Sequence, residues 1–378
     1  MPDKIDLPQI ILNKNKPISA TKIVVAMSGG VDSSVVACLL KKLGYEVIGI
    51  TLQLYDHGEA LKKKNACCAG VDIYDAKKVA EKFGFPHYVL NYQNLFQEKV
   101  IDDFADSYLS GETPIPCVKC NQNVKFQDLL QVARDLGADF MATGHYVKKI
   151  INSDGKSELH KAFDNSKDQS YFLFATTKEQ LDFLCFPLGD YNKDFTRKLA
   201  KKFGIEVANK PDSQDICFVP NGDYASVIKI HRPNAFKQGD IIHINTKKVL
   251  GTHNGIINFT LGQRRGLGIA YPHPLYVIKI DPQNNHVFVG EEHFLDQQTF
   301  IIPDCNWLID LPKIGEKFEA EIRIRSSSKE HLATIEIFEK NRAKITMKSM
   351  TRAITPGQAG VIYNGTQVLG GGWIEKMD

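Results

Sequence analysis

The junction that most constrains this chain lies near its start. The apolar run Ile23-Val24-Val25-Ala26-Met27 leads straight into Ser28-Gly29-Gly30-Val31-Asp32-Ser33-Ser34, and an apolar stretch of helix length runs from Val31 to Leu43, ending at Gly44. A short buried strand that turns through two glycines into a helix is a strand–loop–helix unit. Glycine lets the backbone take φ > 0 and approach a ligand closely. The helix N-terminus offers unsatisfied N–H groups and the positive end of a dipole, which suits pyrophosphate. Ser28, Ser33 and Ser34 add hydroxyl donors. No Lys follows a final Gly, so this is not the loop type whose lysine grips β- and γ-phosphates. A βα turn merely capped by small residues is the plainer alternative.

The pattern repeats downstream. Val47 to Leu54 reads as a second strand, and Ile73, Ala76, Val79, Ala80 and Phe83 have helical spacing, stopped by Gly84. Tyr88 to Leu90 is a third strand. A long helix with Phe96, Val100, Ile101 and Phe104 inward ends near Gly111, and a Pro-rich loop covers Glu112 to Cys120. A further helix (Phe126, Leu129, Leu130, Ala133, Leu136) and a strand, Phe140 to Thr143, follow. Strands alternating with helices make a doubly wound parallel α/β sheet. Its ligand belongs outside the C-terminal strand ends, where the strand order reverses. If the strand ending at Thr143 neighbours the first, Gly144 faces a nucleotide and His145 a substrate; a histidine bonded to a carbonyl is the alternative. Asp154-Gly155 reads as a hairpin turn.

Past Asp212 helical periodicity fades. Short strands appear at Asp240–Ile244, Leu275–Ile280, His286–Val289, Glu319–Ile324, Leu332–Ile337 and Ala343–Met347, with turns such as Asp281-Pro282 and Asn364-Gly365 between them. That is the pattern of small antiparallel barrels, and a break near Leu295–Ile302 suggests two. The expected division is residues 1–212, 213–294 and 295–378. A chain of 378 residues exceeds what one core usually holds.

Charge narrows the classes. Lys and Arg number 47 against 44 Asp and Glu, leaving +3, which excludes a strongly basic coat protein and a highly charged disordered chain. No apolar run approaches the length of a membrane span. The first 20 residues carry Asp3, Asp6 and three prolines without an apolar core, so no secretory signal is expected. Eight cysteines are too few for a disulfide scaffold, which points to a reducing compartment, the cytoplasm, and to cysteines used as chemistry or ligands.

Those cysteines differ in setting. Cys38 lies in an apolar helix stripe and Cys185 in a Phe/Leu-rich run, both core positions; Cys305 has no sequence neighbour of its kind. Cys67-Cys68 follow Lys62-Lys63-Lys64 in a loop. Cys117-Val118-Lys119-Cys120 sits just before a helix, where positive potential and Lys119 are expected to lower a thiol pKa. Half a zinc site is the other reading, but no second C-x-x-C or H-x-x-H completes one. Cys217 lies in Lys210-Pro-Asp-Ser-Gln-Asp-Ile-Cys-Phe218, where the two halves join.

The run SGGVDSS resembles the PP-loop ATP pyrophosphatase signature. The ordered set AMSGGVDSS, TPxPxxxCN, ATGHY, KDQSYFL, DSQDICF, TLGQRRGLGI and TPGQ…LGGG, from about Lys22 onward, is similar to the tRNA-specific 2-thiouridylase family. The resemblance implies an adenine nucleotide alpha hydrolase-like fold that uses ATP to adenylate the C2 oxygen of the wobble uridine of tRNA, with Lys, Glu and Gln acceptors expected. It places ATP on Ala26, Met27, Ser28, Gly29, Gly30, Val31, Asp32, Ser33, Leu52 and Gly144, with Asp32 setting Mg²⁺ on the pyrophosphate. It implies Cys120 as nucleophile and Cys217 as carrier of a persulfide, supplied by a sulfur-relay protein or cysteine desulfurase. It puts tRNA on His145, Lys167, Asp168, Gln169, Arg323, Ile324, Arg325 and Gln358, and the target base near Pro116 and Cys117. Some members carry Asp in place of Cys117 and Asn in place of Ile115. An iron–sulfur cluster on Cys117, Cys120 and Cys217 is a second reading of the three thiols.

The chemistry agrees with the residues. The C2 carbonyl of uracil is a poor electrophile, and adenylation turns its oxygen into part of a good leaving group. A terminal persulfide is a soft, ionised nucleophile, and resolving its S–S bond calls for a second thiolate or an external reductant. The base must leave its stack to reach such a pocket. Basic residues cluster at Arg197, Lys198, Lys201 and Lys202, at Arg264-Arg265, and at Arg323, Arg325, Lys329, Arg342, Lys344, Lys348 and Arg352, a pattern that fits a tRNA track as well as Glu-laced solvated surfaces. A PP-loop enzyme acting on a small molecule would explain the loop but not Cys120, Cys217 or the barrels. A noncatalytic RNA-binding module would leave the intact SGGVDSS unexplained.

Overall fold

In the computed structural model, residues 7–8, 10, 16–54, 69–210, 215–219 and 222–375 are described. The chain forms two compact units, one of Met1–Gln97, Cys120–Pro220 and Thr366–Val368, the other of Glu98–Lys119, Asn221–Gly365 and Leu369–Asp378.

The first unit is built on strands β1 (Lys22–Ala26), β2 (Glu46–Gln53), β3 (His87–Asn91) and β4 (Phe140–Ala142), a hairpin of β5 (Val147–Ile151) and β6 (Ser157–Lys161), and the short β7 (Leu184–Cys185). The sheet order is β3-β2-β1-β4-β7 and each pair is parallel. Parallel strands covered on both faces read as unbroken apolar runs, and Ile23, Val24 and Val25 are fully buried. Helices α1 (Val31–Lys42) and α2 (Ala69–Phe83) follow β1 and β2. Val35, Val36, Leu39 and Leu40 of α1 join Ile23, Val25 and Val47 in the core. Because β2 and β4 flank β1, the strand order reverses at β1. The expected α/β reading holds, and the Asp154-Gly155 turn closes the β5–β6 hairpin.

One local expectation fails. Glu112–Cys120 is not all loop: Pro116–Lys119 form a helical turn, and Cys120–Leu129 winds as a π-helix. Proline opens a helix well because its missing N–H is not needed there. The two cysteines of the C-x-x-C therefore sit on helical backbone.

The second unit holds two sheets. Strands β8 (Gly239–His243), β9 (Val249–His253), β10 (Tyr276–Asp281) and β11 (His286–Gly290) pair in the order β10-β11-β8-β9. Here β11 and β8 run parallel, so this sheet is mixed rather than purely antiparallel. The larger sheet uses β12 (Asp296–Ile302), β13 (Asn306–Trp307), β14 (Lys317–Arg323), β15 (His331–Glu339), β16 (Arg342–Arg352), β17 (Ala359–Asn364) and β18 (Gln367–Trp373). Phe300, Ile322, Ile335, Ile345 and Ile362 form its core, on alternate positions of their strands. The stretch expected as a break between barrels is itself β12, paired with β16.

Candidate active site

The phosphate loop leaves the C-terminal end of β1. Met27 N donates to Ile50 O at 2.8 Å, extending the sheet by one residue. Ser33 Oγ then accepts from Ser28 N at 3.1 Å and lies 3.2 Å from Ser28 Oγ, closing the loop on the first turn of α1. Gly29 has φ +73°, and a Cβ there would stand 2.2 Å from Asp72 O. Glycine is required on both counts. Gly30 precedes α1 and gives it no side-chain cap. The opening turn of α1 thus keeps N–H groups available to an anion. The buried Ser34 Oγ also has no partner among the described residues.

Gly144, just past β4, meets this turn directly. A Cβ on it would lie 2.8 Å from Ser33 N and 3.1 Å from the Asp32 carbonyl carbon. The strand ending at Thr143 neighbours β1, which is the condition on which the place of Gly144 depended. Leu52 lies near the C-terminal end of β2, the strand on the other side of β1.

Asp32 anchors a polar cluster that sequence reasoning missed. Lys193 Nζ lies 2.8 Å from each carboxylate oxygen of Asp32. The Tyr146 hydroxyl lies 3.0 Å from Asp32 Oδ1, as donor, and 2.9 Å from Thr196 Oγ1. Lys193 opens the Lys193–Lys202 helix, capped by Asn192, and is only 8% exposed. A lysine in a first turn opposes the helix dipole. That mismatch is the one sequence signal that could have marked it.

The sulfur-bearing residues have contrasting environments. Cys120 is buried, and burial pushes its thiol up to about 11, opposed by Lys125 and reinforced by Cys217. The expected low thiol pKa is therefore reversed at Cys120. Lys119 is committed elsewhere, 3.5 Å from Asp103 and over the Trp373 ring. Cys217 is exposed, and its neighbour Phe218 packs edge-on against Phe96 at 5.8 Å. Lys125 Nζ donates to Asn121 Oδ1 at 3.0 Å, and Asn121 Nδ2 donates to Phe172 O. His145 Nδ1 lies 2.9 Å from Thr143 Oγ1, a hydroxyl rather than a carbonyl, and burial with help from Lys125 pushes the ring down to about 3.

Other positions tied to tRNA divide. Asp168 accepts from Ala162 N, Ser170 N and Ser170 Oγ, and Gln169 Oε1 accepts from Tyr146 N at 2.8 Å, so both brace the backbone around β5 and β6. Lys167, beside them, is half-buried. In the second unit Gln358 Nε2 donates to Thr113 O at 2.8 Å, fastening the TPGQ turn to the segment that carries buried Pro116 and half-buried Cys117. Ile115, Lys119, Gly357, Trp373 and Glu375 line a cleft of about 410 Å³ there.

Four basic residues of the last barrel carry acidic partners and Arg325 is held by neutral oxygens, while Lys329 and Lys344 are exposed. Arg323 pairs with Glu330 and stacks 5.4 Å from the Tyr363 ring centroid; Arg325 donates to Ala353 O and Thr355 Oγ1; Ile324 is buried. Arg342 pairs with Glu375, Lys348 with Glu319 and Arg352 with Glu292. By contrast Arg264 and Arg265 are exposed. Burial raises the thiols of Cys38 and Cys185 to about 12 and that of Cys305 as well, as inert core cysteines. Cys67 and Cys68 lie outside the described residues. Among the described residues, no group of three or more His, Cys, Asp or Glu is arranged to hold a metal ion.

Comparison with known proteins follows this geometry. Residues 21–221 match a profile described as tRNA methyl transferase HUP domain, 226–291 a tRNA methyl transferase PRC-barrel domain, and 297–374 an aminomethyltransferase beta-barrel domain. The chain is 63% identical over 354 residues to the tRNA-specific 2-thiouridylase MnmA of Rickettsia bellii (strain OSU 85-389), covering 94% of this chain and 96% of that one. It is 62% identical to the protein of the same name from Rickettsia africae (strain ESF-5), with the same coverage. A solved 4-thiouridine synthetase–RNA complex with bound ATP overlaps 52% of this chain and 45% of its own at 17% identity, TM-score 0.33. With near-complete coverage at this identity, the chain belongs to the tRNA-specific 2-thiouridylase family.

Proposed function

We propose that this chain is a tRNA-uridine 2-sulfurtransferase that thiolates the wobble uridine at C2 at the expense of ATP. The observation that carries the reading is 63% identity over 94% of the chain to a tRNA-specific 2-thiouridylase. The uncapped start of α1 beside Gly144 supports it by offering a phosphate cradle at the point where the strand order reverses. In this reading Ala26 to Ser33, Leu52 and Gly144 hold ATP. The C2 oxygen of the base attacks the α-phosphorus and pyrophosphate leaves. Lys193, released from Asp32, balances the polyphosphate charge.

Asp32 is the residue that would hold Mg²⁺; one carboxylate plus substrate phosphates is an ordinary donor set for that ion, which neutralises pyrophosphate. The terminal sulfur of a Cys217 persulfide then attacks C2, and AMP departs with the former C2 oxygen. Cys120, giving up its proton to the departing thiolated base, attacks Cys217 Sγ and leaves a Cys120–Cys217 disulfide for an external thiol to reduce. Exposure of Cys217 suits loading by a sulfur-relay protein or cysteine desulfurase; burial of Cys120 suits a resolving thiol kept from solvent.

His145, Lys167, Asp168, Gln169 and Gln358 are retained as the tRNA side of the site, with Pro116 and Cys117 toward the target base. The division into 1–212, 213–294 and 295–378 and a cytoplasmic location complete the reading; among the described residues no helix is long and apolar enough to cross a membrane.

The test is mass spectrometry of tRNA nucleosides after incubation with ATP and a sulfide source. Pyrophosphate release stimulated by unmodified tRNA, with 2-thiouridine formed, upholds the reading. Stimulation by a small carboxylate instead would select a small-molecule adenylating enzyme.

A further inference from the structure

The phosphate loop is held from outside by a residue that the motif does not contain. Lys210 Nζ reaches Gly29 O at 3.4 Å, Asp75 Oδ2 at 3.0 Å, and Asp72 Oδ1. Asp72 and Asp75 lie in α2, and each side chain is 17% exposed. Asp72 also supplies the backbone oxygen against which Gly29 is packed. One ammonium thus joins the left-handed turn of the loop to two carboxylates beside it. Burial works against the charge on Lys210, but Asp72 and Asp75 hold its pKa above the usual lysine range.

Such an arrangement poses an electrostatic problem for a triphosphate site. Two largely buried carboxylates lie next to a loop that must accept a polyanion, and at low effective dielectric like charges repel by several kcal/mol at contact distances. The lysine offsets that field and draws the Gly29 carbonyl toward itself. We infer that Lys210 is a positioning residue of the nucleotide site, which holds the Gly29 turn against α2 and screens Asp72 and Asp75 from the polyphosphate. The inference rests on the reading that this loop takes ATP.

The charge logic gives a test that a purely structural ion pair would fail. Binding of α,β-methylene-ATP and of AMP is measured by calorimetry for the wild-type chain, Lys210→Met, and Lys210→Met combined with Asp72→Asn and Asp75→Asn, each checked by thermal melting. Lys210→Met is expected to weaken the triphosphate analogue by at least about tenfold and AMP by less than about threefold, since repulsion grows with phosphate charge. The triple variant is expected to recover most of the triphosphate affinity. Equal losses for both nucleotides, or a folded triple variant that stays as weak as Lys210→Met, would overturn the inference. Failure of the wild-type chain to bind either nucleotide would overturn the ATP reading itself, a distinct result.

Discussion

Lys193 holds both carboxylate oxygens of Asp32 at 2.8 Å, across 161 positions of chain. The pair is mostly shielded, with side chains 10% and 30% exposed, and Tyr146 donates to the same carboxylate. Asp32 is thus the hub of the first turn of α1, and its charge is held in place by Lys193. Asp32→Ala and Lys193→Met should each abolish pyrophosphate release while leaving tRNA affinity within a few-fold. Nitrocellulose binding alongside a coupled pyrophosphate assay would show it. Parallel loss of tRNA binding in both variants would mean that the first unit had unfolded.

How this hub escaped the sequence is instructive. The loop and the strand–helix alternation follow from local apolar runs and from SGGVDSS, because strands and their turns are written in contiguous residues; that β4 pairs with β1, and so where Gly144 lies, is settled only by the fold. Lys193 and Lys210 are single lysines far along the chain, and only tertiary packing brings them to Asp32 and Gly29. Cys120 misled for the same reason. Its neighbour Lys119 is committed to Asp103, while burial, which no local pattern reports, sets its thiol. Arg323, Arg342 and Arg352 read as an RNA surface because their acidic partners sit on other strands or turns.

That neutralisation changes what charge reversal should do. Arg323 and Glu330 are 14% and 23% exposed, and breaking one partner of a mostly buried pair costs about 3–5 kcal/mol. Arg323→Glu should therefore lower the melting temperature of the protein markedly. Arg264→Glu with Arg265→Glu, on exposed side chains, should leave melting unchanged and reduce the salt slope of tRNA binding by about one per lost phosphate contact. A slope unmoved by the Arg264/Arg265 pair removes that turn from the footprint.

Thiol chemistry should separate the cysteines. With Cys120 pushed up to about 11 and Cys38 and Cys185 to about 12, all three stay protonated at pH 8. Alkylation mapped by peptide mass spectrometry should mark exposed Cys217 first, with Cys120 at least about a hundredfold slower. The Cys120 rate should climb about tenfold per pH unit toward 11. Equal labelling of the two at pH 8 would contradict the buried, protonated thiol.

His145, pushed down to about 3, remains neutral from pH 5 to 8. A neutral ring over that range can hydrogen-bond, as to Thr143 Oγ1, but holds no imidazolium proton to shuttle. His145→Gln should change the height of the pH–rate profile over that range but not its shape. An acid limb that disappears in the variant would show that the imidazole titrates in the working complex.

Two glycines in the first unit make a contrast that tests the loop geometry itself. Gly155, at the tip of the β5–β6 hairpin, has φ +77° and nothing within 4 Å of where a Cβ would stand. Gly155→Ala therefore meets only the backbone cost of a left-handed conformation, about 1 kcal/mol, and should keep full activity. Gly144 has the opposite problem. Its Cβ would press on Ser33 N at 2.8 Å and on Asp32 at 3.1 Å, and the nearest of these atoms is backbone, which cannot swing aside. Accommodation must come from moving the first turn of α1 away from β4, which carries Asp32 off Lys193 and reshapes the cradle between the loop and the strand end. Gly144→Ala should thus lose at least about a hundredfold in pyrophosphate release, about 2.7 kcal/mol of transition-state stabilisation, with a smaller effect on melting. A Gly144→Ala enzyme that releases pyrophosphate at the wild-type rate would place the nucleotide somewhere other than the junction of β1, α1 and β4.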